Sequence, residues 1–155
     1  MDKAIVTVLL IISGVVAALA IFNGVMPAID RSQSVIVDAT NRASDRIGSR
    51  ISIIEAGASG SEVKAWVKNV GTTVIDSVPQ SDLFLISPTD MILVPYGGGS
   101  TPRWEYSLVG DQTAWGRTGT IAVVAYLSEP ISSGTHRIRM VLPNGVSDER
   151  YFSVN

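Results

Sequence analysis

The sequence contains no cysteine and only one histidine, His136, among its 155 residues. Disulfides therefore cannot cross-link the domain, and a histidine-based metal site has little to be built from. There is no Asn-x-Ser/Thr sequon, which excludes the usual N-glycosylation. The formal net charge is −2, whereas nucleic-acid binding usually requires a clustered basic face. We expect no nucleic-acid partner.

The chain also lacks a catalytic motif. The run Gly97–Gly99 is not followed by Lys-Ser/Thr, so it does not match a phosphate-binding loop. Ser100, His136 and Asp148 could form a triad in principle, but no nucleophile signature supports one. The spacing of three turn carboxylates matches no calcium loop: Asp82, Asp90 and Asp111. We expect no enzyme, no cofactor and no metal site.

Charge is absent from the 26 residues between Ala4 and Ile29. A helix of this length rises about 39 Å and exceeds the ~30 Å hydrocarbon core of a bilayer. We interpret residues 1–29 as a retained membrane span, with a removed signal peptide or a buried core helix as alternatives. Gly14 and Ala18 lie four residues apart, a spacing that allows helix backbones to approach in lipid. This face is a candidate for self-association.

The distribution of basic residues does not favour an extracytoplasmic C-terminal part. Lys3 precedes the span, whereas four arginines lie in residues 30–50, directly after it: Arg31, Arg42, Arg46 and Arg50. The positive-inside rule would place the C-terminus in the cytoplasm, although long domains are translocated largely regardless of charge. Charge alone therefore does not decide the topology.

Residues 30–50 form the second predicted part, an amphipathic helical stalk. Its apolar residues are spaced 3, 4, 4, 4 and 3 apart, and the stripe extends beyond residue 50: Ile36, Ala39, Ala43, Ile47, Ile51 and Ile54. This stripe could rest on the chain's own β-domain or pack against copies of itself. We favour the second interpretation, because the stripe is narrow and continues a membrane span.

From about Ile51 the pattern changes to the period of two that is typical of strands, and residues 51–155 predict a β-domain. Seven short segments bounded by turn residues favour an antiparallel sandwich or small barrel: EVKAWVKN, DLFLIS, MILVP, WEYSLV, TIAVVAYL, HRIRMVL and ERYFSV. In the last hairpin we expect a type I turn at Pro143-Asn144 with Gly145 as a bulge residue. Leu142 then lies opposite Val146, and Arg139 opposite Glu149. This register leaves Asp148 and Arg150 on the apolar face and indicates a strand end or edge there.

Four aromatic residues lie in or near the glycine-rich loop region: Tyr96, Trp104, Tyr106 and Trp115. Exposed aromatics at such a place would mark a protein or glycan contact. Alternatively, they cap the end of the core.

The order of parts resembles the archaellin and archaeal-pilin class of surface proteins: a very short tail, an apolar helix, an amphipathic continuation and a β-domain. Within that class, four phrases are similar to the archaellum (archaeal flagellum) accessory proteins called G and F, and more to the G type: ALAIFNGVMPAI, ASDRIGSRISIIEA, WVKNVGTTVID and VLPNGVSDERYFSV. The resemblance covers nearly the whole chain. It implies an immunoglobulin-like sandwich and a non-enzymatic role in motility.

The resemblance further implies a single-pass protein whose β-domain lies outside the cell membrane and helps to link the rotating archaellum to the surface layer. The implied partners are other archaellum accessory proteins, the surface-layer protein, the membrane and, through the N-terminal helix, copies of the chain. Archaellin precursors usually carry a basic residue and then glycine before their cleavage point, whereas Lys3 is followed by Ala4. This departure favours an anchored accessory protein. A filament subunit of archaellin or pilin type and a surface ligand-binding module remain alternatives.

Overall fold

A computed structural model describes the backbone of residues 2–155 and the side chains of that range except those of residues 2, 28–36, 38 and 42. The chain divides into two compact units, Met1–Arg42 and Ala43–Asn155. A single helix, α1, extends over Asp2–Gly48, and all the strands lie in the second unit. The fold is mainly β with a long N-terminal helix, as predicted.

Helix α1 contains the apolar run and continues beyond it. Its part Lys3–Pro27 is long and apolar enough to cross a membrane, and its side chains are exposed. Pro27 lies inside the helix. Helix α1 thus runs through the predicted membrane segment, 1–29, and into the predicted stalk, 30–50, as far as Gly48. The division between the two segments stays a prediction.

The second unit contains eight strands in two antiparallel sheets. The strands are β1 (Ile51–Ser59), β2 (Glu62–Asn69), β3 (Asp82–Ile86), β4 (Met91–Val94), β5 (Arg103–Leu108), β6 (Thr120–Tyr126), β7 (Gly134–Val141) and β8 (Ser147–Val154). The first sheet has the order β1-β2-β6-β5, and the second has the order β4-β3-β7-β8. A short 3-10 helix, Val78–Gln80, precedes β3. The seven predicted strands correspond to β2–β8, and β1 is an eighth strand.

The core lies between the two sheets because alternate residues of each strand point inward. In β2 the buried positions are Val63, Ala65 and Val67, with Lys64 and Trp66 on the other face. The same alternation occurs in β6, where Ile121, Val123 and Ala125 are buried. This pattern gives the β-sandwich that the sequence predicts.

The last hairpin has the predicted register. Arg139 lies opposite Glu149, and the Leu142 N–H donates to the Val146 carbonyl at 2.8 Å. Gly145 has a φ of +83°, a left-handed conformation that favours glycine at the bulge position. The turn residues Pro143, Asn144 and Gly145 therefore predicted the strand pairing correctly.

The predicted helical stripe is wrong at its last two positions. Helix α1 ends at Gly48, and Ile51 lies in β1 with only 5% of its surface exposed. Ile54 is the extra residue of a β-bulge, because the pairing with β2 shifts between Ile53 and Glu55. The spacing that resembled a helix therefore arises from a helix followed by a bulged strand.

Candidate interaction surface

The outer face of the second sheet carries a group of large apolar side chains. In β3, Leu83 and Leu85 point into the core, so Phe84 and Ile86 point outward. Phe84 pairs with Leu93, and Ile86 pairs with Met91, in the neighbouring strand β4. We call these four residues the outer apolar patch: Phe84, Ile86, Met91 and Leu93. Met91 and Leu93 are 61% and 53% exposed.

Such a patch is unusual on the solvent side of an antiparallel sheet, where polar residues normally alternate with buried ones. Contiguous apolar patches of this kind mark protein or membrane contacts. A signal for it existed in the sequence, because DLFLI and MILV are apolar at nearly every position instead of alternating. The contact residues predicted from the sequence lie outside these two segments.

Arginines border the outer apolar patch on β7. Arg137 pairs with Ile86 across the sheet and donates to Glu149 at 3.0 Å. Arg139 pairs with Phe84, and its guanidinium donates to the Ser147 hydroxyl at 3.3 Å. The second sheet therefore presents an apolar half on β3 and β4 and a basic, polar half on β7 and β8.

The structure corrects the aromatic contact site. Trp104 and Trp115 are 0% and 2% exposed and belong to the core. The indole N–H of Trp115 donates to the Gly119 carbonyl at 3.1 Å. Tyr96 is exposed and packs edge-on against Trp104, with 4.9 Å between the ring centroids. The alternative interpretation, that the four aromatics cap the end of the core, fits the two tryptophans.

Tyr106 is half-buried and lies 6.0 Å, centroid to centroid, from Tyr96. These two tyrosines alone, of the four predicted aromatic contacts, offer substantial surface. A glycan platform built on both tryptophans is therefore absent from this end of the sandwich.

The predicted helix contacts belong to α1. Gly14 and Ala18 are exposed on α1, and no atom would touch a Cβ added at Gly14. Ala39 and Ala43 are exposed, and Ile47 is 85% exposed. The side chain of Ile36 lies outside the described residues. The stalk seam and the Gly14–Ala18 face stay predictions.

The end of α1 is bonded to the loop that follows β2. The Thr72 N–H donates to the Gly48 carbonyl at 2.8 Å, and the Val70 and Gly71 N–H groups donate to the Arg50 carbonyl at 2.8 and 3.0 Å. The bond to Gly48 satisfies a carbonyl that a helix end leaves unpaired, and the bonds to Arg50 hold the link to β1. The last helical residues are thus held on the sandwich by backbone contacts.

Asn69 organises this connection from inside the sandwich. It is fully buried, and its side-chain amide donates to the Thr73 and Trp115 carbonyls at 2.8 and 3.1 Å. Its amide oxygen accepts the Gly71 N–H at 2.9 Å. Asn69 was not among the residues predicted from the sequence, where its only signal is an asparagine two residues before a glycine, at a strand end.

The candidate triad is not assembled. His136 is buried; its Nε2 donates to the Ser132 carbonyl at 2.8 Å, and in the neutral ring its Nδ1 accepts from the Ser87 hydroxyl at 3.1 Å. This tautomer follows from the carbonyl, which can only accept. Asp148 instead accepts the Ile53 N–H at 2.7 Å. In the part of the chain that the structure describes, no group of three His, Cys, Asp or Glu residues could hold a metal ion.

Comparisons with known proteins agree with this architecture. The sequence matches no protein-family model. It is 28% identical over 162 residues to an uncharacterized protein of Archaeoglobus fulgidus, covering 97% of this chain and 98% of that protein. Among solved structures, the archaellum periplasmic stator protein FlaG from Sulfolobus acidocaldarius superimposes with a TM-score of 0.60 and 27% identity, covering 67% of this chain and 99% of that chain.

The resemblance to G-type archaellum accessory proteins is confirmed. The archaellum periplasmic stator protein complex of FlaF and FlaG from the same organism gives a TM-score of 0.58 at 28% identity, over 66% of this chain and 88% of that chain. These FlaG neighbours support a stator-type component of the archaellum. Because one of them is a complex, they also support interaction with other archaellum accessory proteins.

Proposed function

We propose that this chain is a membrane-anchored, non-enzymatic component of the archaellum stator that links the motor or filament to the cell envelope. The observation that carries the proposal is the similarity of the fold and sequence to FlaG, a periplasmic stator protein. The apolar helix Lys3–Pro27 supplies the anchor, since its length and composition suit a single membrane crossing.

The β-sandwich lies on the extracytoplasmic side in this proposal. The distribution of lysine and arginine around the span favours the opposite orientation, but long domains are translocated largely regardless of charge. The neighbours are described as periplasmic, and an equivalent position would allow this sandwich to meet the surface layer. The surface-layer protein is accordingly a proposed partner.

The proposed mechanism is the transfer of mechanical load through packed surfaces. The helix end at Gly48 and the following Arg50 are hydrogen-bonded to the loop after β2, so these bonds would support the covalent chain when a force on the helix reaches the β-domain. Self-association through Gly14, Ala18 and the stripe from Ile36 to Ile47 would add stiffness. The outer apolar patch would contact a partner protein.

Swimming and cell fractionation test this proposal. In cells of the source organism that lack the chain, swimming should be lost and should return with the intact chain; unchanged swimming would contradict the proposal. After archaella are sheared from cells, the chain should stay with the membrane of the cell body. Recovery as the main subunit of the sheared filaments would instead favour the filament-subunit alternative.

A further inference from the structure

Strand β4 forms an open edge of the second sheet. Among the described strands it pairs only with β3. The bond from the Ser87 N–H to the Asp90 carbonyl, 2.8 Å long, closes the hairpin between these strands. Hydrogen-bonded and non-hydrogen-bonded pairs alternate along an antiparallel ladder. Met91 and Leu93 therefore direct their backbone N–H and C=O groups away from β3.

The chain itself occupies some neighbouring positions of this edge. The Asp90 carboxylate accepts the Met91 N–H at 2.8 Å. Farther along, the Pro95 carbonyl accepts the Trp104 N–H at 2.8 Å, and Tyr96 forms a parallel bridge with Trp104. Between these closed positions, the N–H and C=O of Leu93 and the C=O of Met91 remain available to an incoming strand.

Both faces of β4 are apolar beside this gap. Outward, Met91 and Leu93 belong to the outer apolar patch. Inward, Ile92 borders a cavity of about 390 Å³, large beside the ~30 Å³ share of one water molecule. Its other lining residues include four from the loops at this end of the sandwich: Pro102, Leu127, Pro130 and Ile131. An extended segment that paired with β4 would place alternate side chains on the patch and in the cavity.

The charge at the cavity favours a different protein over a second copy. Glu129 lines the cavity, is exposed and has no ion-pair partner among the described residues. Residues 87–102, which include β4 and its flanks, contain no lysine or arginine. If two β4 strands paired about a two-fold axis, this stretch of the copy could not neutralise Glu129. A partner segment with a basic residue could.

We infer that the free edge of β4 binds an extended segment of another archaellum accessory protein, which adds a strand to the second sheet. One apolar side chain of that segment enters the cavity beside Ile92, its neighbours cover Met91 and Leu93, and a lysine or arginine faces Glu129. This is recognition by β-strand addition, in which backbone bonds give affinity and pockets give specificity. The inference rests on the proposed function for the nature of the partner.

Binding of the F-type accessory protein of the same organism to the full-length chain in lipid nanodiscs tests this inference. Leu93→Pro removes an outward N–H, and proline is tolerated at such a position of an edge strand. Leu93→Lys places a charge on the patch. Both should weaken binding about tenfold or more. Val74→Lys is the matched control, because Val74 is also 53% exposed and lies outside β4; it should leave binding unchanged.

Hydrogen exchange supplies a readout that does not depend on any variant. In the free chain the Leu93 amide should exchange quickly, because it is open to solvent. In the complex it should become protected, while the amide of Val74 should not. Protection at Leu93 together with the two weakened variants supports strand addition at β4.

Three results would overturn the inference. If the accessory protein binds with no protection at Leu93 and no effect of either variant, another surface is used, and the proposed function stands. If the wild-type chain does not bind the accessory protein, this inference and the partner part of the proposed function fail together. Should Leu93→Pro abolish self-association instead, the occupant of the edge is a second copy.

Discussion

The backbone N–H of Ile53 donates a hydrogen bond of 2.7 Å to the Asp148 carboxylate, 95 residues later in the chain. The two residues belong to β1 and β8, which are edge strands of different sheets. The bond therefore ties the sheets together along one side of the sandwich. The bond also explains why Asp148, an acidic residue, lies on the apolar face of β8. The hairpin register had placed it on that face and had indicated a strand end or edge there.

Replacing Asp148 by alanine should destabilise the sandwich, because the Ile53 N–H would lose its acceptor. The expected cost is about 1–3 kcal/mol, the range for leaving a buried polar group unsatisfied. Urea denaturation of residues 43–155, which contain their own core, measures the free energy of unfolding. Asp111→Ala, at an exposed loop position, is the control. Equal stabilities of the two variants would contradict this role of Asp148.

Gly71→Ala should be more damaging than an ordinary glycine substitution. A Cβ atom at Gly71 would lie 2.6 Å from the backbone nitrogen of Arg50 and would overlap the Gly48 carbonyl oxygen. Neither atom belongs to a flexible side chain, so the helix end and the loop would have to separate. We expect a loss of about 1–3 kcal/mol, as for other overpacked sites, in the same urea measurement.

Gly57→Ala is the matched control for that experiment. Gly57 lies in β1, and no atom lies within 4 Å of the position its Cβ would take. The free energy of unfolding of the Gly57→Ala variant should differ little from that of the wild type. If Gly71→Ala behaved in the same way, the close approach of the helix end to the loop would be wrong.

Trp104→Ala and Trp115→Ala should lower the stability of the folded sandwich. Each side chain is almost completely buried, and truncation of a buried tryptophan costs about 3–5 kcal/mol. Tyr96→Ala should cost less, because Tyr96 is 42% exposed. Thermal unfolding followed by near-UV circular dichroism compares the three variants. Tryptophan variants that melt like the wild type would restore the surface-contact interpretation.

Ile47→Lys tests the proposed stalk seam. Ile47 is 85% exposed in this chain, so the change should leave the free energy of unfolding nearly unaltered. If copies pack along the stripe, the lysine should reduce self-association of the full-length chain in detergent, as measured by light scattering. Ser44→Lys, at another exposed helical position, should have little effect. If self-association is unchanged by Ile47→Lys, copies do not pack along this stripe.

The parts of the fold that depend on local patterns could be predicted from the sequence. The long apolar run predicted the first part of helix α1. Alternation and turn residues gave seven strands, and the Pro-Asn-Gly turn gave the register that places Arg139 opposite Glu149. These features depend on residues close together in the chain. Their local preferences agree with the final structure.

The remaining features depend on contacts between distant residues. Ile51 and Ile54 continue a helical spacing, and this segment is a strand because it pairs with β2, with a bulge between Ile53 and Glu55. Trp104 follows a glycine-rich loop, but its burial depends on where the opposite sheet lies. The outer apolar patch likewise forms only when β3 and β4 pair.

The proposed stator role depends above all on the side of the membrane on which the sandwich lies, and cysteine labelling measures this side. The chain has no cysteine, so a single introduced cysteine can be labelled in intact cells with a membrane-impermeant maleimide. Thr113→Cys probes an exposed loop of the sandwich, and Lys3→Cys probes the opposite end of the apolar helix. If the sandwich is extracytoplasmic, Thr113→Cys will be labelled in intact cells and Lys3→Cys only after lysis. The reverse result would place the sandwich in the cytoplasm and contradict an extracytoplasmic stator component.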